Sequence, residues 1–325
     1  MTPELILALS AVIANATPLV IASIGETITE RAGVINLSLD GSIILTAMLG
    51  FAAALVSDSV VVGIAVAMVV GALIALLIAV ASIELRQDQV AVGFVLTLLA
   101  ADLAQFLGQD YTRIPGPQIP RWPLPLLVDI PIIGPILFNQ SVLVYLSYIL
   151  VIGTWFWMFR TRPGLALRSI GERPEAAFAR GTRVNYQRYL YTMLGGALVG
   201  LAGAAYSLHF KPGWAIPPAM RGDGWIALAI VIFGGWHPFR VVLGAYLFAA
   251  LRAFTAAIQG NPDIQIPLVL LNGLPWTLMV VTLVLVSSGT IERLLLVLPR
   301  SVQKRLRSFL RSDPPGALGT RFDPR

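Results

Sequence analysis

The residues whose types and spacing bear most directly on chemistry lie in one polar island, Arg160 to Arg188, RTRPGLALRSIGERPEAAFARGTRVNYQR. It sets Arg160, Arg162, Arg168, Arg173, Arg180, Arg183 and Arg188 against Glu172 and Glu175, between apolar runs that end at Phe159 and begin at Tyr189. The chemistry this pattern suits is recognition: small residues flanked by charges can seat in the cleft of a partner protein. The middle of the island can form a short helix. Pro174 suits a first helical turn, Glu175 favours the positive end of the helix dipole, and Gly181 can end the helix in a left-handed conformation. The core letters are Glu175, Ala176 and Ala177, three further residues, then Gly181.

A second group stands at the head of an apolar run. Asn36, Ser38 and Asp40 are evenly spaced polar residues bracketed by Gly33 and Gly41. A carboxylate inside a membrane span costs ~2.5–3.5 kcal/mol on insertion scales, so Asp40 should face the bundle interior or a wet cavity. Two roles stand side by side for Asn36 and Asp40, lining a translocation pathway or tying helices together. Glu26, Glu30 and Arg31, just before them, read as interfacial ion pairs. Farther on, Gly234-Gly235-Trp236-His237-Pro238 interrupts a run too short to span alone. Such Gly/Pro-broken segments point to a transporter's working region, which makes Trp236 a pathway candidate; a tight turn between tilted helices is the alternative. Asp102 is the remaining titratable candidate for the interior, with Arg252 nearer the end of a span.

The elements that position these groups follow from composition. Of 325 residues, 57% are hydrophobic and 12% charged, with mean hydropathy +0.79. Soluble domains carry about 25% charged residues. Continuous apolar runs near span length exclude a transmembrane β-barrel, whose strands alternate. The class is an all-α polytopic membrane protein with roughly nine hydrophobic segments (8–10). They fall near 4–24, 34–57, 60–82, 90–109, 141–159, 189–208, 224–236, 239–258 and 265–288. Residues 1–290 form the transmembrane domain and 291–325 a basic tail, whose stretch beyond Asp313 reads as disordered. The loop 160–188 and the tail hold most of the basic residues, and both are expected on the cytoplasmic side. Counting spans back puts the N-terminus outside, with the Pro/Gly-rich loop 110–140 as an external cap. In the run after the island, Gly196, Gly200 and Ala204 carry the small-xxx-small spacing of close helix packing.

The net charge of +6 is no nucleic-acid signal, because the basic residues flank spans and there contact membrane lipids. No cysteine is present and the histidines, His209 and His237, lie far apart, so thiol chemistry and a His-rich metal site are not expected. Neither Lys211 nor Lys304 sits in a P-loop, and no H-E-x-x-H or G-x-S-x-G occurs. No catalytic residue is therefore expected, and energy for transport would come from a partner or an ion gradient.

Glu175-Ala176-Ala177 with Gly181 resembles the E-A-A-x-x-x-G loop of ABC-importer permeases, and Gly164, Arg168, Gly171 and Glu172 resemble its nucleoside and simple-sugar version. The block Gly25-Glu26 to Gly41 is similar to the G-E-x-x-x-E-R-A-G-V-x-N-L-x-x-E-G block of the same permeases, with Asp40 in place of Glu. GALVGLAGAAYS and the segment carrying Gly234 and Pro238 also look like that family. The resemblance implies a type II ABC-importer-like permease bundle in a bacterial inner membrane, for nucleosides or a related simple sugar. It implies an ATPase-docking surface at Arg168, Gly171, Glu172, Glu175, Ala176, Ala177 and Gly181. Its implied partners are an ABC ATPase subunit that uses ATP and magnesium, a second homologous permease, and an extracytoplasmic solute-binding lipoprotein. This chain itself is expected to bind no cofactor. A branched-chain amino acid or ribose permease is the neighbouring alternative. From other classes, an ion-coupled secondary transporter and a non-transporting scaffold remain.

Overall fold

A computed structural model describes residues 2–259 and 313–323, with a few isolated positions between. Sequence segment 265–288 and the basic part of the tail lie almost wholly outside the described residues. Among those described, seven helices are long and apolar enough to cross a membrane, and an eighth apolar helix is too short. The spans are α1 (Pro3–Arg31), α2 (Leu39–Ser57), α3 (Val60–Ala79, prolonged by a wide turn to Glu84) and α4 (Gln89–Leu107). After these come α5 (Val142–Arg160), two short helices α6 (Arg162–Glu172) and α7 (Pro174–Ala179), and α8 (Val184–Ala205, prolonged to Phe210). The short α9 (Asp223–Gly234) and the spanning α10 (Pro238–Gln259) complete the described bundle.

The bundle is built around α8, which packs on α1, α2 and α3. Small residues make this possible, as the spacing in the sequence anticipated. A methyl group on Gly71 would lie 2.2 Å from the Gly196 carbonyl oxygen, and one on Gly200 would lie 2.1 Å from that of Ala67. Backbones in such contact gain dispersion energy where lipid offers no hydrophobic drive for helix association. The outward faces of α3 and α4 carry exposed Val69, Leu73, Phe94, Leu98 and Phe106, a surface matched to hydrocarbon.

α1 runs to Arg31, past the apolar segment that ends near residue 24, so Glu26 and Glu30 lie on a helix inside the bundle. Both are buried. The expectation of interfacial ion pairs is thereby corrected for these two acids. The chain breaks over 32–38 before α2, and side chains satisfy that irregular backbone: Glu26 accepts from the Asn36 N–H (3.2 Å), Gln89 accepts from Ile35 (2.8 Å), and Thr97 donates to the Leu37 carbonyl (2.7 Å). In hydrocarbon, backbone of this kind is tolerated only where protein supplies such partners. Asp102 lies exposed on α4 and is no interior tie.

At the end opposite α6 and α7, residues 108–141 form an irregular cap. Tyr145 pins it through its hydroxyl, whose one hydrogen is within reach of the carbonyls of Phe138 (2.7 Å) and Trp122 (3.0 Å). At the α6–α7 end residues 313–323 return to the bundle. Residues 313–323 form a strap across the bundle: the Ala317 N–H donates to the Gly171 carbonyl (2.8 Å), the Gly319 N–H to that of Gly33 (3.1 Å), and Phe322 packs on Phe178. Its Pro and Gly residues serve extended and turn backbone laid on protein, which composition alone cannot distinguish from free chain.

Candidate functional site

The polar island folds into two short helices. Thr161 caps α6 by accepting from the Gly164 N–H (3.2 Å). Pro174 opens α7, and Gly181 ends it with φ of +84°. The Gly181 N–H donates to the Phe178 carbonyl (2.8 Å) and that of Thr182 to Ala177 (3.0 Å), a Schellman ending that glycine at that position favours.

The residues named for docking separate into two groups. Glu175, Ala176 and Gly181 are exposed, with Phe178 and Arg180 beside them. Ala177 is buried against its own bundle, and Arg168 stacks its guanidinium 4.9 Å from the Phe159 ring centroid. Gly171 is a contact within the chain: a methyl group there would meet the Arg31 carbonyl oxygen at 2.1 Å. Glu172 pairs with Arg31 (3.3 Å) and accepts from the Gly316 N–H of the strap (3.2 Å). The letters of α6 therefore hold the island to the bundle, and α7 presents the free surface.

Asn36, Asp40 and Trp236 are all buried, in two separate clusters. Asn36 accepts from the N–H (3.1 Å) and hydroxyl (2.6 Å) of Ser38, closing the turn into α2. Asp40 reaches across to another helix. Its Oδ1 accepts from the N–H groups of Gly222 (2.8 Å) and Gly224 (3.0 Å), capping the start of α9. Next to it lies a pair of which sequence reasoning named only Arg252 and missed Asp223. Asp223 is fully buried, forms a fork with both terminal nitrogens of Arg252, and accepts from the Tyr206 hydroxyl (2.5 Å). A lone Asp after a glycine at the head of a short apolar helix was the available signal, since it needs a cation from elsewhere in the bundle.

Trp236 sits in the left-handed turn between α9 and α10, with φ of +54°, and its indole N–H donates to Glu30. Burial, with Arg240 and Arg31 nearby, lowers the pKa of the adjacent His237, whose ring lies 5.1 Å from Phe159. Among the described residues no group of three or more His, Cys, Asp or Glu is placed to hold a metal ion. The arrangement offers an exposed face on α7, a short apolar helix that turns into α10, and buried polar ties.

Residues 8–288 match the family described as branched-chain amino acid transport system / permease component. TsgC13 of Haloferax volcanii, provisionally named a glucose ABC transporter permease protein, is 37% identical over 77% of this chain and 77% of its own. The nucleoside ABC transporter permease protein NupC of Lactococcus lactis is 34% identical over 83% of this chain and 88% of its own. The guanosine ABC transporter permease protein NupQ of Bacillus subtilis is 35% identical over 73% and 78%. No solved structure matches the chain significantly. With seven span-length helices and a shorter eighth among the described residues, and a family match over most of its length, this chain belongs to the permease components of the branched-chain amino acid transport type, as a multi-pass membrane protein.

Proposed function

We propose that the chain is the membrane-spanning subunit of an ATP-driven importer for nucleosides, with ATP and magnesium used by a separate ATPase subunit. The observation that carries the solute class is the likeness to NupC over 83% of this chain, supported by NupQ. The likeness to TsgC13 favours a sugar as the second reading. The exposed face of α7 (Glu175, Ala176, Phe178, Arg180) seats in the ATPase cleft, and the strap extends that face through Phe322. A second, homologous permease and an extracytoplasmic binding lipoprotein complete the assembly. The two permeases switch between outward-open and inward-open states as nucleotide biases the equilibrium.

In this reading the α6–α7 end and the C-terminus are cytoplasmic and the N-terminus is outside. With no native cysteine, Gln118→Cys should label with an impermeant thiol reagent in intact cells, and Ala179→Cys should not. The reverse pattern overturns the topology. For the solute, proteoliposomes carrying the complete importer should take up labelled guanosine in the presence of ATP and not glucose. Glucose uptake without guanosine uptake selects the sugar reading.

A further inference from the structure

Beside the α6–α7 docking face lies a cavity of about 140 Å³ that the docking reading does not use. Its polar lining comes from four places: Ser82 and Arg86 at and just after the end of α3, Gln89 at the start of α4, Asn185 and Arg188 in the first turns of α8, and Arg321 and Asp323 in the strap. One water needs ~10–15 Å³ of such space, so the cavity takes a larger guest.

Arg188 is 2% exposed. One terminal nitrogen donates to the Thr320 carbonyl (3.1 Å), while Nε and Nη2 have no partner. A buried guanidinium with open donors is costly unless something accepts from it. Arg86 and Arg321 add two more guanidiniums to the lining, and Asp323, the carboxylate there, is engaged by Arg86 at 3.1 Å. Three arginines against one carboxylate leave an excess of positive charge arranged in forks, the geometry that recognises tetrahedral oxyanions. Exposed Leu85 and Val90 stand next in sequence to Arg86 and Gln89 of this lining, so apolar surface lies close to two of its polar residues.

We propose that this cavity binds a phosphate group, presented as the free ion or as the headgroup of a membrane phospholipid. The bound group accepts from Arg188 and draws Arg86 and Arg321 onto the same anion. Because these arginines come from α8, the α3–α4 turn and the strap, the phosphate staples residues 313–323 to the bundle beside the docking face.

The test uses the purified full-length protein in neutral detergent, with thermal unfolding followed against added dihexanoyl phosphatidic acid, dihexanoyl phosphatidylcholine or inorganic phosphate at matched ionic strength. Phosphatidic acid should raise the midpoint saturably. Phosphate acting equally well identifies the free ion as the guest, and a shift with the lipid alone identifies the headgroup. Arg321→Gln and Arg188→Gln should each weaken binding about tenfold or more, the loss of a charge-assisted hydrogen bond. Arg321 is exposed, so its variant folds whatever the fate of Arg188→Gln. Asp323→Asn should tighten binding, because it removes a competing carboxylate. The proposal is overturned if none of the three compounds shifts the midpoint, if Arg321→Gln binds as the wild type does, or if Asp323→Asn weakens binding as Arg321→Gln does.

Discussion

Arg31 and Glu172 join the end of α1 to the end of α6, with Nη1 3.3 Å from Oε1. The same guanidinium reaches the carbonyls of Gly235 and Trp236, each at 3.4 Å, in the turn between α9 and α10. One side chain therefore links the island to the turn between α9 and α10. An exposed ion pair contributes about 0–1 kcal/mol, and Glu172 is half exposed, so stability is not the main stake. Arg31→Ala should leave the permease inserted and bound to its ATPase while uptake falls about tenfold per ATP hydrolysed, a coupling loss of ~1.4 kcal/mol. Uptake and hydrolysis measured together in proteoliposomes decide it. An unchanged ratio removes Arg31 from the coupling route.

The adjacent alanines Ala176 and Ala177 separate cleanly. Ala177 is buried, so Ala177→Trp overpacks the chain itself, at about 1–3 kcal/mol or more, and should lower membrane abundance. Ala176 is exposed, so Ala176→Trp should leave abundance normal and abolish recovery of the ATPase in pull-downs. Gly181→Val forces a β-branched residue to φ of +84° and should misdirect α7, with partial loss of ATPase recovery. Normal recovery with Ala176→Trp would show that α7 is not the docking face.

The helical bundle and the ends of α7 were legible because they rest on local signals, apolar length for the spans and Pro174 and Gly181 for the short helix. The face that α7 turns outward was not, since six residues are too few for a hydrophobic period to separate Ala176 from Ala177. Glu26 and Glu30 were misplaced for a different reason. Their partners are the backbone of Asn36 and the indole of Trp236, which a reading in terms of ion pairs does not seek. Asp223 and Arg252 are 29 positions apart, and only the folded bundle brings them together.

That pair has its own consequence. Removing one partner of a buried ion pair costs about 3–5 kcal/mol, and the lower end applies because the Arg252 side chain is 34% exposed. Arg252→Met should lower the unfolding midpoint sharply in detergent. Asp223→Asn with Arg252→Met should recover part of the loss, since no charge is left unpaired. A double variant no better than Arg252→Met would show that the two side chains do not depend on each other.

Asp40 decides between a tie and a pathway residue. Its Oδ1 accepts from Gly222 and Gly224 while α2 and α9 abut so closely that a methyl group on Gly224 would lie 2.2 Å from the Asp40 nitrogen. An asparagine oxygen can accept both hydrogen bonds, whereas leucine strands two N–H groups at about 1–3 kcal/mol each and adds bulk at a tight contact. Asp40→Asn should therefore keep both stability and uptake, and Asp40→Leu should lose both. The comparison works because the two variants remove the same charge and differ in hydrogen bonding and shape. If Asp40→Asn folds with a wild-type midpoint yet fails to transport, the charge itself acts on the solute or on the switch, and the tie is not its whole role.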